Sequence, residues 1–191
     1  MHLLLLGLIL FLGVHSIAIV APSWRDRMAV RFGPDLWRVL YSLVAAAGMV
    51  LIVLGYGHAR TEPTVLYVSP LWVYAITATL MLPVFPLLLS AYLPGAIRTA
   101  ARHPMLAAVK IWAFAHLLAN GMLADVVLFG SVLAWAVVER ISLKRRTPRP
   151  VPSAPAGPWN DAIAVVGGLV LYGLMVSWGH AWLIGVPLSL R

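Results

Sequence analysis

An all-α integral membrane protein, with about six transmembrane helices in one bundle, is the fold class this sequence predicts. Three observations carry it. Of 191 residues, 62% are hydrophobic and only 10% are charged, whereas an ordinary soluble domain carries about 25% charged residues. Mean hydropathy is +0.92. The apolar runs approach the ~20 residues needed to cross a ~30 Å hydrocarbon core, and the basic residues gather between them. Length fits a single domain spanning 1–191. Cysteine is absent, which excludes disulfides, thiolate metal sites and cysteine nucleophiles. The net charge of +8 reads as a topology signal, so no nucleic-acid partner is expected.

Six spans are predicted, at about 2–20, 39–58, 71–93, 105–120, 122–140 and 161–185. The first, within "MHLLLLGLILFLGVHSIAIVAP", lacks a basic leader and exceeds a signal-peptide core in length, so it is read as a helix. Residues 21–37 mix Trp24, Phe32 and Trp37 with arginines and predict an interfacial helix. Pro83 and Pro86 should kink the third span and free carbonyls that need partners. Asn120-Gly121 is a turn dipeptide dividing the fourth span from the fifth. Residues 144–159, "KRRTPRPVPSAPAGPW", form a basic, proline-rich linker without a core of its own.

With both termini on the non-cytoplasmic side, the cytoplasmic loops carry eleven of the 14 basic residues. These are Arg25, Arg27, Arg31 and Arg38, then Arg98 and Arg102, then Arg140, Lys144, Arg145, Arg146 and Arg149. The positive-inside rule favours this arrangement. Membrane lipid is therefore a partner, and a multi-pass cell membrane, the inner one of a bacterium, is the expected location.

Ionisable side chains at bilayer depth persist where something uses them. His2, His58 and His180 fall near the outer surface, where water satisfies imidazole. His15 and His116 lie inside apolar runs. Leu8, Phe11, Leu12, His15 and Ile19 share one face of the first helix. Val109, Trp112, Ala113, His116 and Asn120 share one face of the fourth. Such faces suit a flat apolar macrocycle held between two histidines, as in haem ligation. Hydrogen bonding to a neighbouring helix is the plain alternative, and spacing alone does not decide. Lys110 either snorkels to the interface or neutralises a buried carboxylate such as a haem propionate. Asp125 is expected to be a solvated turn residue.

"GVHSIAI" at 13–19, "RFGPDLWRVLYSLVA" at 31–45, "RHPMLAAVKIWAFAHLLANGMLADVVLFG" at 102–130 and "HAWLIGVPL" at 180–188 resemble the NnrU family. Members are polytopic membrane proteins associated with nitrite and nitric oxide reduction, which implies a place in denitrification. They are similar to plant 15-cis-zeta-carotene isomerase, a haem b membrane enzyme that isomerises a carotenoid double bond. The resemblance implies haem b, with His15 and His116 as its iron ligands. It also implies a polyene or other apolar substrate, or a redox partner. Phe11 and Trp112 would pack the macrocycle, Ser16 or Asn120 would orient an imidazole, and Arg102, His103 and Lys110 complete the cofactor-binding set. "RHPM" also resembles isoprenylcysteine-type methyltransferases, although the acidic residues beyond the next helix reduce here to Glu139. A non-catalytic assembly partner with structural histidines is the third reading.

Overall fold

The computed structural model describes residues 1–146 and 151–188. Its helices are α1 (His2–Val20), α2 (Pro22–Phe32), α3 (Pro34–Ala59), α4 (Leu71–Met81), α5 (Val84–Ser90), α6 (Ala96–Ala101), α7 (Pro104–Ala119), α8 (Leu123–Leu143), α9 (Asn160–Leu174) and α10 (His180–Ile184). A π-helical turn, Met175–Gly179, joins the last two. No strand occurs among the described residues. Five segments are long and apolar enough to cross a bilayer: α1, α3, Leu71–Ser90, α8 and Asn160–Ile184. The fourth expected span, α7, has 16 residues, roughly 24 Å at 1.5 Å per residue. The arrangement is that of an all-α multi-pass membrane protein.

The chain packs as two compact units, one built on α1–α3 and α8, the other on α4–α7, α9 and α10. In the first unit, α1 and α3 meet backbone to backbone. A Cβ added at Gly7 would lie 2.5 Å from Ile52 N, one at Gly48 would lie 2.7 Å from Phe11 N, and one at Gly55 would collide with Leu4 N. The pairs advance along α1 as they retreat along α3, so the helices are antiparallel. Small residues serve here because lipid tails give no hydrophobic drive, and association relies on close van der Waals packing. Leu4, Leu8, Ile52, Leu128 and Phe129 fill the core around this contact.

The interfacial segment forms α2, which buries none of its residues. Gly33, with φ of +80°, makes the turn that only glycine takes freely. Pro34 then starts α3 with Asp35 in the first turn. The second span therefore begins five residues before the expected 39, because proline at the first helical position and an acid beside it favour initiation there.

Asp125 corrects the sequence reading. Its side chain is buried rather than solvated, accepting from Tyr56 Oη at 2.5 Å and from Met122 N at 3.0 Å. It closes the first turn of α8 and ties it to α3. Beside it, Leu66 N and Tyr67 N donate to Gly121 O, and Leu123 N donates to Thr64 O, so the 64–67 strap holds the Asn120-Gly121 turn. The Tyr67 hydroxyl donates to Asn120 O at 2.8 Å. Burial first, then the charge of Asp125, raise this phenol above its ordinary value, so it remains a proton donor at neutral pH.

In the second unit the proline expectation is met in detail. Leu82 N bonds Thr79 O, and Ala78 O instead receives the Tyr172 hydroxyl of α9 at 3.0 Å. Gly168 permits α9 to touch the backbone of Pro86, where a Cβ would collide. Asp161 accepts from Ala96 N at 2.7 Å and Ile97 N at 3.1 Å. Asn160 Nδ2 donates to Pro94 O and Pro155 O. Of the proline-rich linker, residues 147–150, Arg149 among them, lie outside the described residues. Residues 151–157 carry no regular structure and are tied back through Ala154 N to Tyr92 O.

Gly55→Ala should lower resistance to unfolding by about 1–3 kcal/mol through backbone overpacking, measured by denaturant titration in detergent. Gly57→Ala, whose Cβ would meet nothing within 4 Å, should leave the midpoint unchanged.

Candidate functional site

His15 lies on α1, half-buried, with Phe11 one turn before it. The two rings stack at a tilt of 36° with centroids 4.3 Å apart. Nδ1 of His15 sits 2.6 Å from Phe11 O. A carbonyl oxygen can only accept, so Nδ1 carries the proton and, in the neutral imidazole, Nε2 keeps the lone pair. This is the only hydrogen bond of the imidazole among the described residues, and it stays within its own helix. Two further rings close around it edge-on: Tyr41 of α3 at 5.2 Å and Trp135 of α8 at 5.7 Å.

His116 on α7 repeats the pattern in the other unit. Its Nδ1 sits 2.8 Å from Trp112 O, and the Trp112 ring is 5.1 Å away at a tilt of 47°. Each deep histidine thus follows an aromatic residue by four positions and is tethered through Nδ1 to that residue's carbonyl. The face assignments made from helical periodicity hold for both pairs.

The remaining candidates do different work. Ser16 Oγ donates to Leu12 O at 2.6 Å, so the Phe11 carbonyl, and not the serine, orients His15. In the Arg-His-Pro stretch, Arg102 is exposed and takes a φ of +59°, a conformation uncommon outside glycine. His103 O accepts from Ala107 N and opens the first turn of α7. Lys110 is half-buried and makes no ion pair or hydrogen bond among the described residues. Asn120 contributes its carbonyl to Tyr67. His180 is half-buried, with Nδ1 2.7 Å from Val186 O.

Sequence reasoning passed over Tyr41, Trp135, Arg146 and the structural part of Glu139. Glu139 Oε1 accepts from Arg146 Nη2 at 2.5 Å, with side chains 15% and 13% exposed. Arg146 Nη1 also donates to Ala18 O at 2.6 Å. That carbonyl would ordinarily serve the amide four residues on, but position 22 is proline and has none. The signal was available: Glu139 is one of six acidic residues in the chain and stands at the end of an apolar run. Its pairing with Arg146 spends the acid that a methyltransferase reading would need.

Both imidazoles fit an axial haem ligand in their own surroundings. A ligating histidine binds metal through one nitrogen while the other donates to a carbonyl or carboxylate that fixes its tautomer. Among the described residues no group of three or more histidine, aspartate or glutamate side chains gathers within metal-binding reach. Ligation of haem by two histidines requires no such group.

These features define a multi-pass helical membrane protein with two carbonyl-tethered histidines in its apolar helices. A family model described as NnrU protein matches residues 3–188, and the chain belongs to the NnrU family. No curated protein and no solved structure matches it.

With imidazole-labelled histidine, 15N NMR should report His15 and His116 as protonated on Nδ1 and bare on Nε2 in the neutral form. The opposite tautomer at either position would remove the tether described above.

Proposed function

We propose that this NnrU protein binds haem b through Nε2 of His15 and Nε2 of His116, and acts in nitrite and nitric oxide metabolism or as a haem-dependent polyene cis-trans isomerase. The observation that carries the reading is the shared Nδ1 tether, to Phe11 O at 2.6 Å and to Trp112 O at 2.8 Å. That tether presets the tautomer and ring orientation a metal ligand needs. Among the described residues the one hydrogen bond of His15 stays within its own helix, which favours this reading over a histidine bonded to a neighbouring helix.

Haem b supplies a one-electron redox centre whose potential follows its axial ligands and burial. The chain's residues hold and shield it. The Phe11 and Trp112 carbonyls keep each imidazole a donor on one side and a ligand on the other. The Phe11, Tyr41 and Trp112 rings would pack beside the ligating imidazoles. Lys110, without an ion pair among the described residues, is the cation available to a propionate. The two activities share this centre and differ in substrate, a small nitrogen oxide or an apolar polyene in the bilayer.

Protein purified in detergent from cells supplied with haem should show a Soret band that shifts on reduction. His15→Ala and His116→Ala should each abolish it while leaving helical content intact. A colourless wild-type protein would sink the proposal and favour a non-catalytic membrane partner. Conversion of a 15-cis polyene by reduced protein, against turnover of nitrite or nitric oxide, separates the two activities.

The basic ends of the spans are assigned to the cytoplasm. Because the chain has no cysteine, single cysteines at Glu62 and Lys144 give a clean test in intact cells. A membrane-impermeant thiol reagent should label the first and spare the second; the reverse would invert the topology.

A further inference from the structure

The Glu139–Arg146 pair leaves polar atoms over. Trp135 Nε1, Glu139 Oε2 and Arg146 Nε are all buried and have no hydrogen-bond partner among the described residues. Trp135 and Glu139 are four residues apart and share one face of α8. Arg146 turns back beyond the helix end onto Glu139 Oε1 and Ala18 O. A buried polar group left unsatisfied is destabilising, and three within one side-chain cluster point to a missing shared partner. The set comprises two N–H donors and one carboxylate acceptor. Water accepts from the donors and donates to the carboxylate, and buried waters occupy sites of this kind.

We propose that Trp135, Glu139 and Arg146 form an internal water site, in which a bound water accepts from the indole and guanidinium N–H groups and donates to the Glu139 carboxylate. Trp135 touches the His15 ring at 5.7 Å, so the site stands one side chain from the imidazole. At the other end, exposed Lys144 and Arg145 face solvent. The site is independent of iron.

Deuterium exchange of indole N–H groups in 15N-tryptophan-labelled full-length protein tests it, with the Trp135 signal assigned by Trp135→Phe. Expected is exchange of the Trp135 indole faster than that of the α8 backbone amides, slowed about tenfold or more in Glu139→Gln. An indole protected as strongly as those amides would show a dry cluster and overturn the proposal. Arg146→Lys, which keeps a cation, guards against misfolding and should retain the fast exchange.

Discussion

Direct backbone contact between α1 and α3 is the constraint on which the first unit depends. In lipid, two apolar helices gain nothing by hiding from water, so they associate only where their surfaces approach closely enough for dispersion to accumulate. Gly7, Gly48 and Gly55 allow that approach. Its register brings Tyr41 against His15. A side chain at any of these glycines would part the helices and open the edge of the imidazole's surroundings.

The second constraint is that no backbone or side-chain polar group in an apolar phase can be left to solvent. The chain meets it residue by residue. The carbonyl that Pro22 leaves idle takes Arg146, and the one released near Pro83 takes Tyr172. Asp125 absorbs a hydroxyl and an amide. Asp161 absorbs two amides at the start of α6. Of six acidic residues, two thus act as buried or half-buried acceptors at helix starts, and a third, Glu139, pairs with an arginine. Scarcity of charge goes with specific employment for half of these acids.

Much of the fold was legible in the sequence because bilayer thickness and helical rise set the length of a span. The α1, α8 and Asn160–Ile184 segments fall within a few residues of expectation, and the break at Pro83 follows from proline chemistry. The faces of His15 and His116 were legible for the same reason, since periodicity puts Phe11 and Trp112 one turn away. Asp125 was misjudged because a turn dipeptide beside an acid looks the same whether Tyr56 reaches it or not. Tyr41, Trp135 and Arg146 come to His15 and Glu139 from distant positions in the chain, and no local pattern encodes such meetings.

The order in which the first unit is assembled follows from its interrupted path along the chain. The helix that bears His15 ends at Val20 and α8 starts at Leu123, so the whole of α4–α7 is synthesised between them. Until α8 is inserted, His15 lacks Trp135 and the carbonyl of Ala18 lacks Arg146. A nascent chain halted before that point would hold an unfinished imidazole niche, so maturation of this region is bound to the late arrival of α8 and not to the early insertion of the helix that bears the histidine.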